Sequence, residues 1–274
     1  MCELFAYSSR VPARIRIAFR EFARHGGPHA ANPDGWGAAY YEGVDAHVLR
    51  EAQPSLTSAF VPVLEKHDFH SPLVIAHIRR ASRGPVALAN TQPFARELFG
   101  RRHIFAHNGD LPDVERALPL ARAAHRPMGQ TDSEHAFYVL MQSLLALDAA
   151  GESGDLKRRI DVVADFAARL RAIGPANFLF TDGDLLFAHA HRRRSHPGND
   201  WVPGLHMLVR EAASDHQMRA LGVHVQGRDD KPAPAVLLAS VPLTPEDWEP
   251  LPENTLLVIQ QGRLLARLDT PTQV

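Results

Sequence analysis

The sequence has only one cysteine, Cys2, among its 274 residues. A disulfide within the chain is therefore impossible, and nothing in the composition indicates an oxidising compartment. The start of the chain has no charged segment followed by an apolar stretch, which predicts that there is no signal peptide. No run of about 18 apolar residues occurs, which argues against a membrane-spanning helix. We therefore expect a cytoplasmic protein with no membrane partner.

The sequence also lacks an excess of either charge. Lys and Arg total 30 while Asp and Glu total 31, so the formal net charge is −1. No overall field attracts nucleic acid, and none is expected as a partner. The one dense basic run, residues 192–194, is interpreted as a solvated loop. The 16 histidines are scattered and show no zinc-binding spacing, so we expect neither a metal nor another cofactor.

What is present is an ordinary globular composition, with 45% hydrophobic and 22% charged residues. A chain of this length buries roughly three quarters of the surface that its unfolded form exposes. No internal repeat and no low-complexity linker interrupts the sequence. We therefore expect one domain over residues 1–274.

The periodicity of the apolar residues predicts an α+β fold with helices in the middle and strands on both sides. Helices are expected at residues 13–25, 56–66, from Thr131 onward and 155–173. Strands are expected at residues 3–8, 38–41, 73–79 and 103–107, and residues 177–189 are expected to form a hairpin with a two-residue turn. Beyond them the chain is rich in strands, apart from a polar loop at residues 212–234.

Cys2 is the first candidate for chemistry because of its position. A lone cysteine is usually a small buried apolar residue. Aminopeptidases, however, remove an initiator Met that precedes a small residue, and Cys is one. The thiol and a free α-amine would then lie on one residue. Because an α-amine has a reference pKa of about 7.7–8.0, it can accept the thiol proton near neutral pH.

Polar residues at the ends of two predicted strands and one helix suit the same chemistry. Asn108-Gly109 can supply hydrogen-bond donors to an oxyanion, although Asn-Gly is also the commonest turn dipeptide. Arg79 can hold a carboxylate through two hydrogen bonds, unless it is a surface arginine at a strand end. Asp132 can pair with an ammonium group, or it only complements the dipole at the start of its helix.

Taken in order, six short segments resemble the class II glutamine amidotransferases, and most closely their compact YafJ-like subgroup. The segments are Met1-Cys2, residues 32–37 (NPDGWG), 77–82 (HIRRAS), 90–94 (NTQPF), 105–109 (FAHNG) and 131–134 (TDSE). The resemblance covers nearly the whole chain and implies an N-terminal nucleophile (Ntn) hydrolase fold, a four-layer αββα sandwich.

The resemblance implies a role for each candidate residue. Cys2 is the nucleophile, and Asn108 with Gly109 forms the oxyanion hole. Arg79 and Asp132 hold the amino-acid end of glutamine, and Ser82 stands where the family often has a Thr in the same pocket. The chain departs from the subgroup at Gln92, where a His is usual, and Gln92 receives no role from the sequence. Asp34, Trp36 and Gly37 either shape the wall of the pocket or only form a turn with a buried Trp.

Several reactions remain open at this level. An amidotransferase passes ammonia to a synthase, and because the sequence has no room for a synthase domain, a separate partner would have to accept it. Alternatively, the enzyme only hydrolyses a γ-glutamyl peptide or amine. An Ntn acylase of the penicillin or bile-acid amide type also begins with Cys, but an apolar acyl group needs no partners like Arg79 and Asp132. A binding module that has lost its chemistry is the non-enzymatic alternative.

Overall fold

The computed structural model contains fifteen strands and four α-helices in the part of the chain that it describes. The described residues are 2–14, 22–26, 32–66, 70–121, 126–195, 200–210 and 233–269. The strands are β1 (Glu3–Arg14), β2 (Trp36–Glu42), β3 (Asp45–Glu51), β4 (His70–Ile78), β5 (Phe94–Leu98), β6 (Arg101–Gly109), β7 (Ala176–Thr181), β8 (Leu186–Ala190), β9 (Arg192–Arg194), β10 (Trp201–Pro203), β11 (His206–Arg210), β12 (Ala235–Ala239), β13 (Glu249–Pro250), β14 (Thr255–Gln260) and β15 (Arg263–Asp269). The helices are α1 (Val61–Lys66), α2 (Val114–Ala117), α3 (Asp132–Ala149) and α4 (Leu156–Ile173).

Two antiparallel sheets form the centre of the molecule. The first has seven strands in the order β13-β11-β12-β1-β4-β2-β3, and the second has six in the order β15-β14-β8-β7-β6-β5. Alternate residues of both sheets point into the space between them, where they form a buried apolar layer that includes Leu4, Ile75, Ile104 and Leu257. A sheet can bury one face on another sheet in this way because its side chains alternate.

Helices cover the outer faces of both sheets. On the second sheet, α3 and α4 pack over a buried group of aromatic rings that includes Phe105, Phe166 and Phe178. On the first sheet, Trp36 and its neighbours are covered by Val61 and Leu64 of α1 together with the helical residues around Phe22. The four layers are thus helix, sheet, sheet and helix, and the predicted αββα sandwich is confirmed.

The two long helices begin where the sequence predicts. The Thr131 side chain accepts a hydrogen bond from the Glu134 amide of α3, and Asp155 accepts from two amides in the first turn of α4. Such caps satisfy amide groups that have no partner within the helix. The reciprocal half of a capping box is missing, because Glu134 instead pairs with Arg96 and accepts from the amides of Met128 and Gly129.

Four details of the predicted secondary structure are wrong. Residues 192–194, interpreted as a solvated loop, form strand β9, which pairs with β10. Residues 13 and 14 continue strand β1 rather than starting a helix, and residues 15–21 of that predicted helix lie outside the described residues. The helix predicted at 56–66 is confined to α1, so Phe60 precedes it and is 50% exposed. The hairpin of β7 and β8 has a four-residue loop, because Thr181 pairs directly with Leu186. Most of the polar loop predicted at 212–234 lies outside the described residues.

No helix among the described residues is long and apolar enough to span a membrane.

Candidate functional site

Cys2 lies immediately before β1, at the end of the sheet where β1 pairs with the last residues of β4. Glu3 is opposite Ile78, so the register places Cys2 beside the residues that follow β4. The Arg80 amide donates a hydrogen bond to Cys2 Sγ at 3.2 Å, and Sγ lies 3.3 Å from the Arg80 carbonyl oxygen. Burial raises the pKa of the thiol, and the Arg80 amide opposes that shift. A half-buried thiol with a raised pKa requires a base in order to react near neutral pH.

Arg79 presents a buried guanidinium beside this thiol. It is 3% exposed, and its Nη2 donates to the carbonyl oxygens of Arg83 at 3.0 Å and Gly84 at 3.3 Å. Its Nη1 is buried, and no described residue accepts a hydrogen bond from it. Burial lowers the pKa of Arg79, while Cys2 and Asp34 oppose that shift. A buried cation with an unused donor is suited to binding a carboxylate.

The segment Asp34-Gly35, for which the sequence left two roles open, fixes the loop that carries Arg79. The Asp34 amide donates to the Arg79 carbonyl at 3.0 Å, and the Arg79 amide donates to the Gly35 carbonyl at 2.8 Å. Asp34 Oδ2 also accepts from the Ala81 amide at 2.8 Å. Gly35 has φ +147°, a conformation that other residues rarely adopt. The segment therefore positions Arg79 through the main chain.

Asn108 and Gly109 are the last two residues of β6, and they do not form a turn. Asn108 Nδ2 donates to the Cys2 carbonyl oxygen at 2.6 Å. The amide carries two hydrogens, so the second remains available for an oxyanion. A Cβ on Gly109 would lie 1.8 Å from the Pro175 carbonyl oxygen, so this position cannot carry a larger residue without rearrangement. The structure thus brings Cys2 and Asn108 into direct contact.

Asn177, a residue that sequence reasoning missed, holds the end of β6 from the neighbouring strand. It is fully buried opposite Asn108, and its Nδ2 donates to the Asn108 carbonyl oxygen at 3.0 Å. The same nitrogen donates to the Arg192 carbonyl oxygen at 3.0 Å, and Oδ1 accepts from the His191 amide at 2.7 Å. One side chain therefore ties the candidate oxyanion hole to the residues that follow β8.

Asp132 begins α3 and faces the same region. Its Oδ2 accepts from the Leu111 amide at 2.8 Å, and its Oδ1 accepts from the Ser133 amide at 2.8 Å. The side chain is 8% exposed, with Arg83 Nε 4.0 Å from Oδ2. The charge of Asp132 raises the pKa of the Cys2 thiol, although less than burial does, which is consistent with Asp132 lying near it.

Ser133 and His107 form a second line of hydrogen bonds behind Asp132, which sequence reasoning also missed. Ser133 Oγ donates to Asp132 Oδ1 at 3.2 Å, and His107 Nδ1 lies 2.9 Å from Ser133 Oγ. Burial lowers the pKa of His107, and the charge of Asp132 opposes this shift. A neutral His107 thus helps to orient the carboxylate.

Gln92 acquires a role from its position opposite His107. The pairing of β5 with β6 places Phe94 opposite Phe105, so Gln92 lies two residues before β5 and opposite His107. Its Oε1 accepts from the His107 amide at 2.6 Å, and its Nε2 donates to the His107 carbonyl at 3.2 Å. The Gln92 side chain thus gives the main chain of His107 the two hydrogen bonds that a paired strand would supply. His107 immediately precedes Asn108.

Ser82 is the candidate residue with the least structural support. It lies exposed on the loop that follows β4, three residues after Arg79.

Comparison with known proteins was made on both sequence and structure. A profile of the family described as glutamine amidotransferases class-II matches residues 1–274. The chain is 38% identical over 189 residues to the Escherichia coli protein YafJ, an alignment that covers 69% of this chain and 72% of that protein.

Solved structures share the same architecture. A predicted glutamine amidotransferase from Pseudomonas aeruginosa has a TM-score of 0.69 and 28% identity, over 97% of this chain and 100% of that one. Glutamine phosphoribosylpyrophosphate amidotransferase from Bacillus subtilis has a TM-score of 0.62 over 100% of this chain and 50% of its own. At 15% identity the second likeness concerns the fold alone. The fold, the family profile and the similarity to YafJ agree: the chain belongs to the class II glutamine amidotransferases.

Proposed function

We propose that the protein hydrolyses the γ-amide of glutamine or of another γ-glutamyl compound, with Cys2 as its N-terminal nucleophile. The observation that carries the proposal is the hydrogen bond between Asn108 Nδ2 and the Cys2 carbonyl oxygen, at 2.6 Å. It places a side-chain amide donor directly beside the nucleophilic residue. Donors in this position stabilise the oxyanion that forms when a thiolate attacks an amide.

Activation of the thiol depends on removal of Met1. The α-amine of Cys2 then has a reference pKa of about 7.7–8.0 and is partly neutral near pH 7. It accepts the thiol proton, directly or through a water molecule, in the manner of other N-terminal nucleophiles. Burial raises the pKa of the thiol, so an adjacent base supplies what the isolated side chain lacks.

The reaction then proceeds in two steps. Cys2 Sγ attacks the γ-carbonyl carbon, and the oxyanion accepts hydrogen bonds from the Asn108 amide and the Gly109 main-chain N–H. The carbon–nitrogen bond breaks as the leaving nitrogen takes the proton from the α-ammonium group, which leaves a γ-glutamyl thioester. Water next attacks the thioester, which releases glutamate and restores the thiol. No step requires a cofactor.

Two charged residues recognise the amino-acid end of the substrate. The Arg79 guanidinium binds the α-carboxylate through its unused Nη1. The Asp132 carboxylate binds the α-ammonium group, and its contacts with Leu111 and Ser133 hold it in place. Ser82 lines the same pocket, a role taken from the family resemblance.

The fate of the nitrogen distinguishes two versions of this function. With glutamine, the leaving group is ammonia, and a separate synthase would accept it in an amidotransferase. With a γ-glutamyl peptide or amine, the leaving amine simply departs. The charges of Arg79 and Asp132 disfavour the third version, an acylase for apolar acyl groups, because an apolar acyl chain would offer neither charge an opposite charge.

A substrate comparison tests the proposal. Protein whose first residue is verified by mass spectrometry as Cys2 is incubated with glutamine, with a panel of γ-glutamyl amides and with phenylacetyl and fatty acyl amides of the same amines. We expect release of glutamate from at least one γ-glutamyl compound and much slower hydrolysis of the apolar amides. Preferential hydrolysis of an apolar amide, or no hydrolysis of any γ-glutamyl compound, would contradict the proposed function.

A further inference from the structure

One buried side-chain amide, that of Asn90, joins the two segments that carry Arg79 and Asp132. Asn90 lies between β4 and β5 and is fully buried. Its Oδ1 accepts a hydrogen bond from the Gln130 main-chain amide at 2.8 Å, and its Nδ2 donates to the Pro85 carbonyl oxygen at 3.0 Å. Nδ2 also donates to the Gln130 side-chain oxygen at 3.0 Å. Both hydrogens of this amide therefore have an acceptor, and the main-chain partners fix which end carries the oxygen.

The contact with Pro85 holds the loop that surrounds the Arg79 guanidinium. Arg79 Nη2 donates to the carbonyl oxygens of Arg83 at 3.0 Å and Gly84 at 3.3 Å. Pro85 follows directly in the chain, so the carbonyl that Asn90 binds is one residue from an acceptor of the guanidinium. Because Nη2 is bound to this loop, a shift of the loop would move the guanidinium and redirect its Nη1, which no described residue binds.

The contact with Gln130 holds the start of α3. Gln130 lies two residues before Asp132 and next to Thr131, whose side chain caps the helix. The hydrogen bond to its main-chain amide fixes the backbone immediately before that cap. A Cβ on Gly129 would lie 2.2 Å from Asn90 Oδ1, so the two segments touch at this point. The position of Asp132 thus depends on Asn90 through the main chain.

We propose that Asn90 is a positioning residue that sets the spacing between the Arg79 guanidinium and the Asp132 carboxylate. This inference rests on the proposed function, in which the two groups bind the α-carboxylate and the α-ammonium group of one substrate. Both substrate charges are attached to the same carbon, so the distance between them is fixed. A ligand can engage both protein groups only when their spacing matches that distance. Asn90 therefore selects ligands that carry both charges.

L-Glutamate and glutarate distinguish this role from a general effect on the fold. L-Glutamate is a product of every version of the proposed reaction, and glutarate differs from it only in lacking the α-ammonium group. A ligand without that group needs Arg79 but not the spacing between Arg79 and Asp132. Loss of the spacing should therefore weaken the binding of L-glutamate and leave that of glutarate nearly unchanged, whereas loss of folded protein would weaken both equally.

Asn90→Asp is the first variant, because it keeps the shape of the side chain and removes both donor hydrogens. Its carboxylate would face the oxygens of Pro85 and Gln130, which should separate the two segments. By isothermal titration calorimetry we expect about tenfold weaker binding of L-glutamate and less than about a twofold change for glutarate. Gln142→Glu is the matched control, since it changes an amide to a carboxylate on α3, about 15 Å along the helix from Asp132. It should bind both ligands like the unmodified protein.

Gly129→Ala is the second variant, and it leaves every donor and charge in place. Its Cβ would push the Asn90 side chain away, so the same selective loss of L-glutamate binding is expected. Gly154→Ala is its control, because a Cβ there would have no neighbour within 4 Å. Urea denaturation confirms that each variant is folded under the conditions of the titration.

Three results would overturn the inference. They are an equal loss of affinity for both ligands in Asn90→Asp, an unchanged affinity for L-glutamate in either variant, and an unmodified protein that binds L-glutamate no more tightly than glutarate. The last result would also count against recognition by Arg79 and Asp132. A chain that shows the expected binding but releases no glutamate from any γ-glutamyl compound would reject the proposed hydrolysis alone.

Discussion

Asn108 Nδ2 donates a hydrogen bond to the main-chain carbonyl oxygen of Cys2, across 2.6 Å. Residues 106 positions apart in the sequence thus meet at the edge of the two sheets. The contact uses one amide hydrogen of Asn108 and fixes the direction of the other. It also anchors the residue that carries the thiol, so the amide donor and the thiol are held in one geometry.

Replacement of Asn108 by alanine should therefore slow the reaction without weakening substrate binding. Loss of one donor to an oxyanion typically costs about 10²–10³ in kcat, and the KM for the substrate should change little. Gln142→Ala, which removes an amide from α3 away from Cys2, is the control. Alkylation of Cys2 by iodoacetamide should stay as fast as in the unmodified protein. An unchanged kcat in Asn108→Ala would remove Asn108 from the mechanism.

Arg79→Lys should affect binding rather than turnover. Lysine keeps the positive charge but lacks the planar pair of donors that a carboxylate accepts from arginine. We expect KM to rise about tenfold or more, with a smaller change in kcat. Arg80→Lys is the matched control, because Arg80 is adjacent and its side chain is exposed. Steady-state kinetics of both variants provide the comparison, and an equal rise in KM for both would contradict the assignment.

Gln92→Ala should destabilise the fold. The substitution leaves the buried N–H and C=O of His107 without the partners that Gln92 supplies. Each unsatisfied group costs about 1–3 kcal/mol, so the free energy of unfolding should fall by about 2 kcal/mol or more. Gln53→Ala, at an exposed position, should change it by less than about 0.5 kcal/mol. Urea denaturation measures both, and equal stability of the two variants would show that the Gln92 contacts are dispensable.

Buried histidines should make the protein less stable in mild acid. Burial lowers the pKa of His77 and of His189 to about 3 in the folded chain, whereas the unfolded chain has the ordinary value of about 6.5. Below that value the unfolded state binds protons that the folded state does not, so stability is lost as the pH falls from about 6.5 toward 3. Above it, both states hold these rings neutral.

The size of this effect can be measured by urea denaturation. Two such histidines should lower the free energy of unfolding by about 2 kcal/mol between about pH 6.5 and 5.5. Carboxyl groups titrate mainly below this interval, so they contribute little to it. A free energy of unfolding that stays constant or rises over the same interval would contradict the neutral, buried state of these rings.

The sequence could predict the location of residues that are marked by a local pattern of apolar and polar residues. Cys2, Arg79 and Asn108-Gly109 lie at the ends of short apolar runs, and the caps Thr131 and Asp155 belong to strong helix-start patterns. Because polar residues at the ends of apolar strands lie together at one end of a sheet, the pattern predicted the location of these residues, and their roles in the reaction stay predictions. The fold followed from the resemblance of six ordered segments and was confirmed.

The sequence analysis missed residues whose contacts depend on which strands pair and in which register. Asn177 reaches Asn108 only because β7 pairs with β6, and Gln92 reaches His107 only because β5, which begins two residues after Gln92, pairs with β6. Neither relationship has a local signal in the sequence. Pairing of distant segments decided each case.

The release of glutamate from glutamine by Cys2→Ala, compared with the unmodified protein, tests the central claim most directly. Both proteins are first shown by mass spectrometry to begin at residue 2, so that each has its α-amine there. We expect the rate for Cys2→Ala to fall by at least about a thousandfold, because no other group can form the thioester. Equal rates of glutamate release from the two proteins would contradict Cys2 as the nucleophile.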